Sequence, residues 1–115
     1  MIIYLFIFLG GGLGSILRSL VYSLVNNLSL PSWAGTVVVN SVGGLLVVFL
    51  KNYFDAIPFV YQKFLKVGLL GGLTTFSTLS LDIFDLIKVG AYGEAVIAFC
   101  LNIIFGVVVG ILLFK

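Results

Sequence analysis

The sequence predicts an all-α integral membrane protein with a single domain (residues 1–115) and four transmembrane helices. Of its 115 residues, 62% are hydrophobic and only 9% are charged, a balance typical of chains embedded in a lipid bilayer. Polar turns divide the apolar sequence into four runs. The net charge of +2 is too small and too scattered for nucleic-acid binding, so no nucleic-acid partner is expected.

Helix 1 is predicted over residues 2–25, long enough to span about 30 Å of hydrocarbon. Gly10 and Gly14 form a GxxxG pattern, which lets another helix approach closely. Arg18 lies further along the same helix, where a charge costs about 2.5–3.5 kcal/mol near the bilayer centre. Two interpretations stay open: its side chain extends to the nearer membrane surface, or its charge attracts anions to a pore mouth.

Helix 2 is predicted over residues 33–50 and contains one amide, Asn40, in a strongly apolar run. Thr36, Asn40 and Gly44 share one face of the helix because they are spaced four residues apart. This narrow polar stripe indicates either a pore lining or a hydrogen bond from Asn40 to a neighbouring helix.

Helix 3, predicted over residues 62–89, is expected to be broken near its middle. Gly71 and Gly72 each cost about 1 kcal/mol in a helix relative to alanine, and Thr74 and Thr75 are β-branched. A helix that loosens here frees backbone groups that lipid cannot satisfy, so they must face protein, water or an ion. The pattern is typical of a discontinuous helix at an ion site. A continuous helix with small residues for close packing is the alternative.

Helix 4 is predicted over residues 94–114, with Asn102 as its one strongly polar interior residue and Gly106 and Gly110 as a close-packing pair. Four crossings place both termini on one side of the bilayer. An excess of lysine on that side predicts cytoplasmic termini by the positive-inside rule. The lysines on that side are Lys51, Lys63, Lys66 and Lys115, against Lys88 on the other.

The residue types favour transport over catalysis. Histidine is absent and the acidic residues lie near predicted helix ends, so no activated nucleophile is expected. Neutral hydrogen-bond donors together with the positive ring edge of Phe76 can replace the water shell of a small anion without trapping it. Carbonyls freed near Gly71 and Thr74 suit a hard cation instead. The neutral donors inside the helices are Asn40, Thr74, Thr75, Ser77, Thr78, Ser80 and Asn102.

Three motifs occur in order along helices 1 to 3. In helix 1 the pattern GGxxGxxxR is matched by Gly10, Gly11, Gly14 and Arg18. In helix 2 the pattern GTxxxNxxG is matched by Gly35, Thr36, Asn40 and Gly43. In helix 3 the pattern GxxGGLTTFST is matched by Gly68 and residues 71–78. The helix 3 motif is specific, whereas GxxxG alone is common in membrane helices. With these motifs the chain resembles the small bacterial fluoride channels, called Fluc or CrcB, over essentially its whole length.

The resemblance implies a fluoride-specific channel that passively exports cytoplasmic fluoride across the bacterial inner (plasma) membrane. It implies an antiparallel, dual-topology homodimer in the lipid bilayer, with two fluoride pores along the subunit interface. It also implies a structural Na+ ion at the dimer centre, not transported, held by the backbone carbonyls of Gly71 and Thr74. The implied pore residues are Asn40, Phe76, Ser77, Thr78 and Asn102. Arg18 remains the candidate charge at the pore mouth.

Two positions depart from the family pattern: Leu79 stands in place of a second pore phenylalanine and Ala98 in place of a helix 4 tyrosine. The two missing aromatic rings and the excess of lysine on one side of the membrane suggest an alternative to the homodimer. In this alternative the chain is one subunit of an obligate heterodimer, and its paralogous partner inserts in the opposite orientation. A small proton-coupled multidrug-type exporter is a rival of another class, but it needs a carboxylate deep in helix 1, which this chain lacks. An inert membrane-anchor subunit is the third possibility.

Overall fold

The computed structural model describes residues 1–114, which are folded into helices and short connections. Four helices in this part of the chain are long and apolar enough to cross a membrane, which confirms the predicted number. They are Ile2–Asn27, Ser32–Leu50, Phe59–Lys88 and Tyr92–Leu113, and are called the first to fourth helices below. Lys115, one of the lysines behind the predicted orientation, lies outside the described residues.

The third helix is interrupted at Thr74 and Thr75, whose backbones are extended, with ψ angles of 155° and 115°. The interruption divides it into a first arm over residues 59–73 and a second arm, Phe76–Lys88. The predicted break is therefore confirmed, and the continuous alternative is wrong. Gly71 and Gly72, which were expected to loosen the helix, are themselves helical. The break falls instead on the two β-branched residues that follow.

The first helix and the first arm touch through their main chains. The first arm is π-helical over Lys63–Leu69, and this segment lies along the first helix. A Cβ added at Gly10 would lie 2.5 Å from a main-chain oxygen of the first arm, and one added at Gly72 would lie 2.5 Å from a main-chain oxygen of the first helix. Gly14 abuts main-chain atoms of the first arm in the same way. These positions leave no room for a side chain, so the close contact depends on glycine.

The second and fourth helices are also in main-chain contact. A Cβ added at Gly44 would lie 2.5 Å from the carbonyl oxygen of Gly106. At the other end of the pair, Trp33 Nε1 donates a hydrogen bond to Glu94 Oε2 at 2.9 Å, which joins the first turns of the two helices. The second and fourth helices are thus held together at Gly44 and at Trp33. Polar side chains on the two helices between these contacts are close enough to bond to each other.

Gly14→Ala is expected to destabilise the protein by about 1–3 kcal/mol, because the added methyl group would overlap main-chain atoms of the first arm. Gly12→Ala is the matched control, since a Cβ at Gly12 meets no atom within 4 Å. The measurement is the thermal midpoint of each purified variant in the same detergent. Equal midpoints for the two variants would contradict the close packing described for Gly14.

Candidate functional site

The side-chain amide of Asn40 pairs with the backbone of Thr75 at the break. Asn40 Nδ2 donates to the Thr75 carbonyl oxygen at 3.0 Å, and the Thr75 N–H donates to Asn40 Oδ1 at 2.7 Å. The amide takes the place of a neighbouring peptide group, so both backbone groups of a residue that has left the helix are satisfied. Because lipid offers no such partners at membrane depth, this pairing lets the extended conformation persist.

A second amide extends this pairing to the fourth helix. Asn40 Nδ2 also donates to Asn102 Oδ1 at 2.8 Å, and Asn102 Nδ2 donates to the carbonyl oxygen of Ala98 at 2.8 Å. Asn102 is 6% exposed, so this amide lies inside the helix bundle. The bonds join the second, third and fourth helices at the level of the break.

Thr75 also caps the second arm with its side chain. Its Oγ1 accepts a hydrogen bond from the Thr78 N–H at 3.1 Å and donates one to Thr78 Oγ1 at 3.0 Å. Ser77 Oγ lies 3.2 Å from the same oxygen. Thr75 was not among the predicted pore residues, although threonine is a common N-cap and the helix was expected to loosen here.

Four consecutive carbonyl groups at the end of the first arm have no backbone N–H partner within the described residues. In a continuous helix their partners would include the N–H groups of Thr75 and Thr78, which bond to Asn40 Oδ1 and Thr75 Oγ1 instead. The four carbonyls belong to Gly71, Gly72, Leu73 and Thr74. The two predicted to bind a cation, those of Gly71 and Thr74, are thus without a hydrogen-bond donor among residues 1–114.

An open groove with a volume of about 280 Å³ lies beside the break. Its polar lining comes from Asn40, Thr74, Thr75 and Asn102, and none of the described residues that line it is charged. The Phe76 side chain stands at the groove and is 79% exposed. The structure therefore brings together residues that the sequence pattern had placed on three different helices.

Among the described residues, four predicted site residues do not line this groove: Gly71 of the predicted cation site, Ser77, Thr78 and Arg18. Ser77 is exposed and Thr78 is half-buried, and both lie in the first turn of the second arm next to the groove. Arg18 is half-buried in the first helix, away from the groove lining. Leu79, at the position of the missing second phenylalanine, does line the groove, and it is 7% exposed.

A second polar cluster surrounds Thr36, which is 0% exposed. The Tyr22 hydroxyl lies 2.6 Å from Thr36 Oγ1, and Thr36 Oγ1 donates to Asp82 Oδ2 in the second arm. Thr36 is therefore enclosed by protein groups, not open along a polar stripe. Tyr22 and Asp82 were not predicted site residues, but the spacing of Tyr22, four residues after Arg18 and eight after Gly14, places it on the helix face that packs inward.

Comparison with known proteins places the chain in one family. A sequence profile of the family described as CrcB-like protein, Camphor Resistance (CrcB), matches residues 5–114. A protein of Sulfurovum sp. (strain NBC37-1) named fluoride-specific ion channel FluC is 40% identical over 111 residues, which are 92% of this chain and 88% of that protein. Proteins of the same name from Bacteroides fragilis (strain YCH46) and Proteus mirabilis (strain HI4320) are 42% and 38% identical, over 77% of this chain and 75% and 74% of their own lengths. The family predicted from the three motifs is thereby confirmed, and the chain belongs to the CrcB-like protein family.

Proposed function

We propose that the chain forms a fluoride-specific ion channel that passively exports cytoplasmic fluoride and thereby confers fluoride resistance. The observation that carries the proposal is the uncharged polar groove at the break of the third helix, beside the amides that join three helices. Relatives named fluoride-specific ion channel FluC support the choice of anion.

The groove offers donors to an anion without a fixed charge that would retain it. The ring of Phe76 is exposed, so its positive edge is available to a neighbouring anion. The second arm begins at this residue, and the N-terminal end of a helix carries a partial positive charge. The hydroxyls of Ser77 and Thr78 lie in the same first turn and extend the row of donors along the proposed path. Donors of this kind can replace the hydration shell of fluoride and still release the ion.

A second subunit is needed to close the groove, which is open on one side of the single chain. We assign this side to a second copy packed in the antiparallel orientation, so that two equivalent pores follow the interface. An exposed aromatic side chain in the middle of a membrane span, such as Phe76, fits a subunit contact. A paralogous subunit of opposite orientation is the alternative partner, and the leucine at position 79 favours it, because a partner could supply the missing ring.

The unpaired carbonyl groups at the end of the first arm fit a structural Na+ ion. Hard cations take oxygen ligands, and the C-terminal end of a helix carries a partial negative charge. In the proposed dimer, the carbonyl oxygens of Gly71 and Thr74 from both subunits would hold the ion at the centre. The ion would satisfy carbonyls that the break leaves without N–H partners, and it is not transported.

Export through this channel is driven by the electrical gradient across the membrane and requires no nucleotide hydrolysis. Hydrogen fluoride crosses membranes as a neutral acid and ionises in the cytoplasm, where the pH is higher, and the trapped anion leaves down the electrical gradient. The sequence contains no GxxxxGK[ST] nucleotide-binding motif, in keeping with a passive route. Four helices of membrane-spanning length and the bacterial origin of the relatives support a multi-pass location in the bacterial inner membrane.

Liposomes that contain only the purified chain are expected to release fluoride rapidly and to retain chloride. A fluoride electrode measures the efflux, with valinomycin and potassium to balance the charge. Release without a proton gradient separates a channel from a proton-coupled exporter. Fluoride retained by this chain alone but released after co-reconstitution with a paralogous subunit would indicate the heterodimer, and retention in both preparations would contradict the channel.

Phe76→Ile is expected to lower fluoride efflux by about tenfold or more, because the ring edge that faces the anion is lost while apolar bulk is kept. Phe84→Ile is the matched control, since Phe84 is another exposed ring of the second arm, 59% exposed and two turns further along. Both variants are compared by the same electrode assay at equal protein content. Equal efflux from the two variants would remove the argument from the ring edge.

Gly71→Leu is expected to abolish any stabilisation of the dimer by Na+, because the new side chain would project at the proposed ion site. Within the chain a Cβ at Gly71 meets only one atom, at 3.9 Å, so the subunit fold is expected to tolerate it. Gly93→Leu is the control, an open position in the fourth helix. Native mass spectrometry in Na+ and in N-methylglucamine measures the dimer fraction, and normal Na+ dependence in Gly71→Leu would contradict the placement.

A further inference from the structure

We propose that a cavity between the ends of the second and fourth helices binds an anionic phospholipid from the bilayer. The cavity has a volume of about 350 Å³ and is lined by Val48, Lys51, Asn52, Ile111 and Phe114. It shares no lining residue with the groove at the break. The proposal concerns the end of the helix bundle at the membrane surface and does not rest on fluoride transport.

The cavity lies just beyond a point where the two helices touch. A Cβ added at Gly110 would lie 3.2 Å from a methyl carbon of Val48, so the second and fourth helices are in close contact at this level. Beyond the contact the second helix ends at Leu50 and the chain turns over residues 51–53, while the fourth helix continues to Leu113. The space left between this turn and the end of the fourth helix is the cavity.

The lining of the cavity is polar on one side and apolar on the other. Lys51 and Asn52 belong to the turn and are both exposed, whereas the remaining lining residues are apolar and lie on the two helices or at their ends. The ring of Phe114 is held in place by that of Phe49, with the ring centroids 5.1 Å apart. A soluble anion would satisfy only the polar side. A phospholipid carries a phosphate and a hydrocarbon chain a few bonds apart, so it matches both sides.

The depth of the cavity in the bilayer fits a lipid headgroup. Both helices that form it are of membrane-spanning length, and both end at this level. Tyr53 follows the end of the second helix, with its ring centroid 5.6 Å from that of Phe49, and is 55% exposed. Tyrosine is enriched at the level of the headgroups. The polar side of the cavity is therefore at the depth of lipid phosphates, and the apolar side is at the depth of acyl chains.

Lys51 supplies the charge that makes the cavity complementary to an anionic lipid. Between residues 51 and 66 the chain has three lysines and one acid, Asp55, so this end of the bundle is positively charged. Basic pockets between membrane helices bind anionic headgroups. Lys51 lines the cavity, whereas the other three lysines among residues 1–114 lie over aromatic rings. Those pairs are Lys63 with Phe59, Lys66 with Phe54 and Lys88 with Phe84, at 5.1 to 5.7 Å from the nitrogen to the ring centroid.

A lipid in this cavity would connect the ends of the second and fourth helices. Its phosphate would bind at the turn after the second helix, and its acyl chain would pack against the last turn of the fourth. A ligand that binds the folded protein and not the unfolded chain stabilises the fold in proportion to the logarithm of its concentration. Anionic phospholipid is therefore expected to raise the thermal midpoint of the protein.

The test adds phosphatidylglycerol or phosphatidylcholine with the same acyl chains to the purified protein in a neutral detergent. Native mass spectrometry measures the bound lipid, and the thermal midpoint is recorded in parallel. Phosphatidylglycerol is expected to bind and to raise the midpoint, and phosphatidylcholine to do neither. Lys51→Met is expected to weaken phosphatidylglycerol binding by about fivefold. Lys88→Met is the matched control, because it removes the same charge from an exposed lysine that does not line the cavity.

A second pair of variants tests the cavity at constant charge. Ile111→Trp is expected to weaken phosphatidylglycerol binding by a similar factor, because the indole would occupy the apolar side of the cavity. Leu112→Trp is its control, since Leu112 is 68% exposed and does not line the cavity. Ile111 is itself 53% exposed, so the fold is expected to tolerate the larger side chain.

Equal phosphatidylglycerol affinities within either pair of variants would overturn the lipid site. Displacement of the lipid by glycerol 3-phosphate would assign the cavity to a soluble anion and would also overturn it. If the unsubstituted protein retains no lipid and Ile111→Trp lowers the dimer fraction, the cavity is covered by a second copy of the chain, and the proposal fails.

Discussion

The structure depends on the pairing between the side chain of Asn40 and the backbone of Thr75. A helix can leave its hydrogen-bond pattern at membrane depth only if other groups take its N–H and C=O groups. One amide does both here, at 2.7 and 3.0 Å. The residues before Thr75 are then left with carbonyls that have no backbone N–H partner among the described residues, and Phe76 begins a new helix whose first turn is capped by the Thr75 side chain. A single side chain thereby separates two helix ends of opposite partial charge, the negative end of the first arm and the positive end of the second arm.

Glycine packing makes this pairing possible. Polar side chains as short as asparagine and threonine reach across only where helices approach closely. The second and fourth helices touch through the main chain at Gly44, and Gly43 of the second helix leaves room only for the side chain of Thr74 in the third. Gly10 and Gly14 hold the first arm against the first helix, and Gly44 holds the fourth helix against the second. The polar groups and the glycines therefore form one system, since the close approach sets the distances at which the amides bond.

Much of the fold could be predicted from the sequence, because four apolar runs and a glycine–threonine stretch are local signals. The place of the break could not. Gly72 stays helical because it abuts the main chain of the first helix, whereas Thr75 leaves the helix because Asn40 supplies its partners. Asn40 and Thr75 are 35 residues apart in sequence, so no local helix propensity determines which residue of the third helix Asn40 will meet. For the same reason the polar character of Asn102 and Thr36 was predictable, but their partners and the enclosure of Thr36 were not.

The second helix holds the second arm at two points, through Thr36 to Asp82 and through Asn40 to Thr75. Thr36 and Asn40 are one turn apart on the second helix. Their partners, Asp82 and Thr75, lie at the two ends of the first two turns of the second arm. Two extended residues without such bonds would leave the direction of the second arm open. The two bonds fix that arm against the second helix, so its direction is set by a neighbouring helix and not by the arm that precedes it in the chain.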